Sequence, residues 1–416
     1  MTHPVGKESG LIYAPKPRSS RRLLAEVPEQ RHRRYCIISV DDHVLEPPTL
    51  FDGRLPAQHR DRVPKPVDEQ GVLCWSIDDQ LLPIVSSNAL ISWSEDQWEL
   101  GTSTTFDEVM PGAWNIDARV RDMDINGVYA SLSFPSMCFG FAGQKLSAVR
   151  DATFAKALVM AYNDWVFEEW YSPYPDRIIP CQVVYLGSVH AAVTEVERNA
   201  QRGFRAVAFT ENPEKLGYKS IHSGEWDPFF AACEATGTVI NLHVGSSSTV
   251  TQPSSDSPND VVIALLSINS IVATADWLFS KIAVRFPDLR IVLSEGGVDW
   301  LPMMLSRLKA QERLVRAARS WEGIDLSPTE ILLRNFRFAA LWDTLGPALV
   351  KQAGASTIML EVDYPHADST YPDSQLTARR QLDGVTEQDA EAISFRNAAS
   401  LYGHPLPNVS AFVDAF

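Results

Sequence analysis

What most constrains this chain is a rhythm of eight short apolar runs, at 35–40, 128–134, 178–184, 204–209, 238–242, 290–293, 336–339 and 357–360. A strand with one wet face alternates apolar and polar residues. These runs are almost continuously apolar, so they read as strands buried on both faces. The intervening stretches at 117–126, 149–170, 188–202, 227–236, 261–285, 303–319 and 343–353, and a last one at 387–402, have helical periodicity and supply the cover. Eight strand–helix units in succession predict an α/β chain closed as a (β/α)8 TIM barrel rather than an open sheet.

The segment at about 45–115 is too long for one connection and is rich in Pro and Trp. Within it, 72–77 and 81–85 flank Asp78-Asp79-Gln80 as a hairpin would. A loop of this length in a compact domain usually serves a site, so it is predicted to be an insertion after strand 1 that covers the barrel mouth. The barrel domain then occupies 35–403, between an arm at 1–34 and a tail at 404–416. The arm holds eight Lys and Arg against three Glu, a local charge of 8 − 3 = +5. Such an arm is predicted to lie over a partner subunit or to be left mobile, and is assigned no chemistry.

The whole chain carries 52 acidic against 37 basic residues, a net charge of −15, so everything beyond the arm amounts to −15 − 5 = −20. That argues against a nucleic-acid or anionic-membrane partner and for a small-molecule substrate. The most membrane-like stretch, 261–279, contains Asn269 and Asp276 and reads as a buried helix. The N-terminus has no apolar core of the signal-peptide type. Cys36, Cys74, Cys138, Cys181 and Cys233 are scattered without a Cys-x-x-Cys pair, so neither a disulfide framework nor a zinc knuckle is predicted. A cytoplasmic setting fits these features.

In a barrel of this kind the chemistry sits where strands end. The first run ends in Asp41-Asp42-His43, with Asp41 and His43 on one strand face by the period of two, and Glu46 just beyond. The fifth ends in His243. A histidine at a strand end is by itself more often a hydrogen-bonded core residue, but beside the first run it reads as a ligand. The sixth ends in Glu295 before Gly296-Gly297, where the alternative is a cap on the next helix. The eighth ends in Asp363, with His366 and Asp368 on the loop that follows. The Gly-x-Gly-x-x-Gly, Walker, Gly-x-Ser-x-Gly and His-Glu-x-x-His signatures are absent.

With Asp41-Asp42-His43 after strand 1, His243 after strand 5 and Val362-Asp363-Tyr364-Pro365 after strand 8, the chain resembles the amidohydrolase superfamily. The resemblance is to its amidohydrolase-related branch, which holds metal-dependent hydrolases together with aminocarboxymuconate-semialdehyde and resorcylate-type decarboxylases. Phe286-Pro287-Asp288-Leu289-Arg290, Trp226-Asp227-Pro228-Phe229 and Asp122-Met123-Asp124 are similar landmarks, and the likeness spans about 35–403. One position departs from it: the decarboxylases carry a His before the Gly-Gly pair of strand 6, where this chain has Glu295.

The resemblance implies that Asp41, His43, His243 and Asp363 are metal ligands, that Glu295 is a ligand, bridge or water-orienting base, and that Glu46 is a further ligand. Two imidazoles and four carboxylates suit one or two divalent ions, Fe, Zn or Mn, with a binuclear centre favoured. The function implied is a hydrolase that attacks an amide, ester or thioester, acyl-CoA thioesters included, with a metal-activated hydroxide. Asp363, Glu295 and His366 are then the catalytic residues. The alternative is a mononuclear metal-dependent non-oxidative decarboxylase or hydratase of an aromatic or related carboxylic acid. A catalytically silent barrel is disfavoured, because core packing does not ask for donors at four strand ends. His222 after strand 4, Asp368, Trp114 and Phe139 are the candidate substrate contacts, with Trp75, Trp93, Trp98, Phe134 and Phe141 as further rings of an apolar pocket. Barrels of this branch are commonly dimers, which implies a homodimer.

Overall fold

The computed structural model describes residues 15–18, 20–317 and 319–414. The first fourteen residues of the arm and the last two of the tail lie outside the described residues. Twelve strands are described: β1 (Ile38–Val44), β2 (Lys65–Glu69), β3 (Val72–Ile77), β4 (Gln80–Pro83), β5 (Ala130–Pro135), β6 (Ile178–Ile179), β7 (Cys181–Val183), β8 (Ala206–Phe209), β9 (Val239–His243), β10 (Ile291–Ser294), β11 (Phe336–Ala340) and β12 (Ile358–Leu360).

The parallel order runs β1-β5-β6 and then β7-β8-β9-β10-β11-β12. Pro180 splits the third stave. It has no N–H for the ladder, so β6 pairs with β5 before it and β7 pairs with β8 after it. The ring closes where the Asp363 N–H donates to the Asp41 carbonyl at 2.8 Å and the His43 N–H donates to the Tyr364 carbonyl at 2.7 Å. The eight apolar runs are thus the eight staves of a TIM barrel. The seam that shuts it passes through residues singled out as ligands.

Every residue of β1 is buried, and its register against β5 shifts between Ser39 and Asp42. A bulge at that point re-aims the side chains that follow it. The predicted helix at 261–285 is three, Asn259–Ala264, Leu266–Phe279 and Ile282–Arg285, with Lys281 at φ +63° between the last two. Among the described residues no helix is long and apolar enough to cross a membrane.

The insertion holds a three-stranded antiparallel sheet, β2-β3-β4, one strand more than the predicted hairpin. Short helical turns then carry the chain over the mouth. Residues 16–18 and 20–25 of the arm run along this insertion of the same chain, while Arg31 and Arg33 reach residues 124–125, 372–373 and 414. The Ser103 N–H donates to the Lys16 carbonyl and the Ala25 N–H to the Ser92 carbonyl, both at 2.8 Å. Arg18 pairs with the buried Glu108, and Arg22 donates to Thr102.

Candidate metal centre

Four strand ends meet at the mouth. β1 supplies Asp41 and His43, β9 ends on His243, Glu295 follows β10, and Asp363 lies just beyond β12. Glu295 and Asp363 sit at φ +59° and +55°, a left-handed conformation that costs an L-residue about 1 kcal/mol or more. Backbone bonds hold both turns: the Glu295 N–H donates to Glu361 Oε2 at 3.1 Å, and the Asp363 N–H to the Asp41 carbonyl.

His43 Nε2 lies 3.1 Å from His243 Nε2, 3.4 Å from Asp41 Oδ1 and 3.2 Å from Asp363 Oδ1. His243 Nε2 lies 3.5 Å from Asp41 Oδ2 and 3.5 Å from Glu295 Oε2. The tautomers follow from the other ring nitrogens. His43 Nδ1 is 3.2 Å from the Pro135 carbonyl and His243 Nδ1 is 2.7 Å from the Val244 carbonyl. A carbonyl only accepts, so each Nδ1 carries the hydrogen and both Nε2 atoms present lone pairs. Two lone pairs face to face repel unless a cation lies between them.

The charges agree. Burial, with His366 adding to it, lowers His43 to about 4, and burial takes His243 well below the ordinary histidine range, so both rings are neutral at neutral pH. Burial raises Asp41 well above its usual value, helped by Glu361 and Asp363, and raises Glu295 with help from Asp363 and Asp368. Burial would raise Asp363 too, but His366 beside it holds it below the usual carboxylate range. Both oxygens of Asp41 are buried and accept no hydrogen bond among the described residues, and the groups drawn up to the buried Asp363 Oδ1 are imidazole nitrogens, His366 Nδ1 at 3.1 Å and His43 Nε2 at 3.2 Å. Buried carboxylates short of donors, ranged around neutral imidazoles, are a donor set that a divalent cation completes.

The donor spacing indicates how many cations. Bonds of about 2.0–2.2 Å to one ion put adjacent ligands roughly 3–3.5 Å apart, which matches the distances here. Among the described residues two donor groups can be drawn, Asp41–His43–His243 and His43–Asp363–His366, but they share His43, whose one lone pair serves one ion.

Around this set, His366 stacks on His43 with ring centroids 3.7 Å apart and brings its Nδ1 to 3.1 Å from Asp363 Oδ1. Its Nε2 is buried without a partner among the described residues. Phe141 stacks on His243 at 4.0 Å. Above lies a cleft of about 310 Å³ with walls that include Leu90, Trp98, Leu100 and Phe141, and with Glu295, Asp363, His366 and Asp368 among its lining. The insertion therefore does cover the mouth.

Other residues read from the sequence stand elsewhere. Glu46 accepts from the Ser136 N–H at 2.9 Å and the Ser136 hydroxyl at 2.5 Å, outside both donor groups, and burial pushes it up to about 7. His222 is half-exposed and bound to Asp276 at 2.7 Å. Phe139 is a core ring packed on Phe51 and Trp75. Trp114 packs edge-on against Phe106 and does not line the cleft.

Two buried carboxylates carry roles that the sequence reading did not assign. Glu361 receives the Glu295 N–H. Glu211, after β8, accepts from the Gly245 N–H at 3.0 Å and so fixes the turn after His243. Glu361 stands two residues before Asp363, the same spacing that linked Asp41 to His43, and that signal was available.

A model of the amidohydrolase family matches residues 89–404 of the chain. No curated protein matches it. Among solved structures, an amidohydrolase from Mycobacterium avium subsp. paratuberculosis K-10 is similar at 23% identity and a TM-score of 0.70, covering 89% of this chain and 99% of that one. The 5-carboxyvanillate decarboxylase of Sphingomonas paucimobilis is similar at 18% identity and 0.61, covering 89% and 100%. A dihydroxybenzoic acid decarboxylase from Polaromonas sp. JS666, solved with bound manganese, is similar at 17% identity and 0.58, covering 89% and 97%. At such identities the likeness is one of fold.

Proposed function

The chain belongs to the amidohydrolase family, and on that premise we propose that it is a metal-dependent hydrolase of amide, ester or thioester bonds, built around one divalent cation. Asp41, His43, His243, Asp363 and Glu295 would hold that cation. A single centre takes the place of the pair favoured on the sequence alone, because the two donor groups share one imidazole lone pair. The oxygen-rich set with two imidazoles suits manganese, iron or zinc. Manganese draws support from the similar structures that contain it.

The observation that carries the reading is the Asp363–His366 pair beside the donors, with His366 Nε2 unpartnered in the lining of the cleft. When bound, the cation would polarise a substrate carbonyl and make a water more acidic. Asp363 is placed to accept the proton of that water. His366, whose Nδ1 is 3.1 Å from Asp363, is placed to carry the proton and deliver it from Nε2 to the departing oxygen, sulfur or nitrogen. Phe141 and Trp98 keep bulk water from the reacting carbonyl.

A second reading, decarboxylation of an aromatic acid, is favoured by the names of several similar structures. There His366 would protonate the ring carbon. The test loads the protein with manganese or zinc and offers aryl esters, thioesters and anilides beside hydroxybenzoic acids, following acid release and carbon dioxide separately. Acid release that falls at least about 100-fold in His366→Gln supports the proposal. Carbon dioxide release without acid release replaces it with the second reading.

A further inference from the structure

We infer that the cleft accepts uncharged acyl groups and rejects carboxylates, and that Asp368 sets this selectivity; the inference deepens the hydrolase reading and rests on it. The titratable residues lining the cleft are Glu295, Asp363, Asp368 and His366, with no Arg or Lys among them. A divalent cation does not reverse this balance: with Asp41, Glu295 and Asp363 ionised around it the centre sums to −3 + 2 = −1, and Asp368 makes −2.

Asp368 is not one of the grouped donors and forms no ion pair among the described residues. Its backbone is fixed, because Trp342 Nε1 donates to the Asp368 carbonyl at 2.7 Å. Burial and the neighbouring Asp363 raise its pKa while His366 opposes them, and in its ionised form Asp368 puts a negative charge on the lining of a narrow cleft whose other walls are largely apolar. About 310 Å³ is at the small end for a small-molecule site, so an entering group cannot stand far from that charge. An entering carboxylate finds a like charge and no Arg or Lys among the described lining residues, an arrangement that costs binding steeply in a poorly solvated site.

The same field serves turnover. Hydrolysis breaks the bond from the acyl carbon to its leaving group, gives that carbon the oxygen of water and gives the leaving group a proton. The acid formed then ionises in a cleft that repels it. A decarboxylase needs the opposite, since its substrate enters as an anion.

Calorimetric titration of the manganese-loaded protein with acetophenone and with benzoate tests the inference. The two share a ring and differ in charge. Acetophenone should bind at least about tenfold more tightly, and the isosteric Asp368→Asn should narrow that ratio several-fold. Benzoate binding as well as the ketone, a ratio unmoved in Asp368→Asn, or no binding of either ligand overturns it. The ketone preference without turnover of any ester, thioester or amide would leave the selectivity standing and defeat the hydrolase reading. Turnover with benzoate preferred would do the reverse.

Discussion

Asp41 and Asp42 are neighbours on one strand, of the same chemistry and both buried, and their surroundings are opposite. Asp42 accepts from Ser39 Oγ at 3.0 Å and from the Tyr364 N–H at 3.1 Å, and the Arg119 guanidinium lies 3.8 Å away. Arg119 is itself buried between the Tyr364 and Trp170 rings and donates to the Gly112 and His43 carbonyls. Asp41 has none of this: neither of its oxygens has a hydrogen-bond partner among the described residues. A buried carboxylate that the fold satisfies is part of the scaffold, while one that it leaves unsatisfied is held for something else. In this barrel the two kinds are one residue apart.

The largest effect should come from breaking the satisfied side. Arg119→Met leaves Asp42 uncompensated and frees the His43 carbonyl, and should cost about 3–5 kcal/mol in urea unfolding of the metal-free protein. Asp41→Asn should cost far less, because it removes a charge that has no hydrogen-bond donor among the described residues. Equal losses in the two variants would erase the distinction.

Next in size is metal affinity. Asp41→Asn should weaken manganese binding by about 100-fold or more, against less than about tenfold for Asp42→Asn, measured by competition with a chelator. A larger loss in the Asp42 variant would exchange their roles.

The pH dependence of stability sharpens the comparison further. Burial raises Asp42 to about 6 and Glu46 and Glu211 to about 7, and raises Asp41, Glu295 and Glu361 as well. Each holds its proton more tightly folded than unfolded. Its contribution is therefore complete below the unfolded value near 4 and is lost as pH rises through the folded value. His43 and His243 act in the opposite sense, since their lowered values destabilise the fold below about 6.5 and that cost fades as pH rises. Six acids outweigh two imidazoles, so the urea midpoint of the metal-free protein should fall between pH 5 and 7. Saturating manganese should flatten the slope by compensating the Asp41 and Glu295 charges. A midpoint that rises over this range contradicts the assignment.

The smallest effect should come from Phe141→Leu. Loss of its stack on His243 should lower kcat/KM by about two- to tenfold on whichever substrate is turned over, with little change in stability. A loss beyond 100-fold would place Phe141 closer to the chemistry than its stacking suggests.

The staves and their tips were legible in the sequence for a simple reason. A strand buried on both faces is continuously apolar, so the first polar residue marks its end, and a barrel turns all such ends toward one mouth. Asp41, His43, His243, Glu295 and Asp363 were singled out in this way, and the barrel brings them together. Glu46, Phe139 and Trp114 were not placed correctly, because beyond a strand end the loop and not the period sets where a side chain points. Glu46 turned to Ser136 and Phe139 into the core. The pairing of His222 with Asp276 joins residues 54 apart and leaves no local pattern. Nor could the sequence show that Asp41 lacks hydrogen-bond donors, since that depends on the packing around it.

Elemental mass spectrometry on protein saturated with manganese and then freed of unbound ion decides whether these donors hold one cation. One metal per chain is expected, lost in Asp41→Asn and His243→Ala and retained in Asp42→Asn. Two metals per chain, or one that survives in Asp41→Asn, would contradict it.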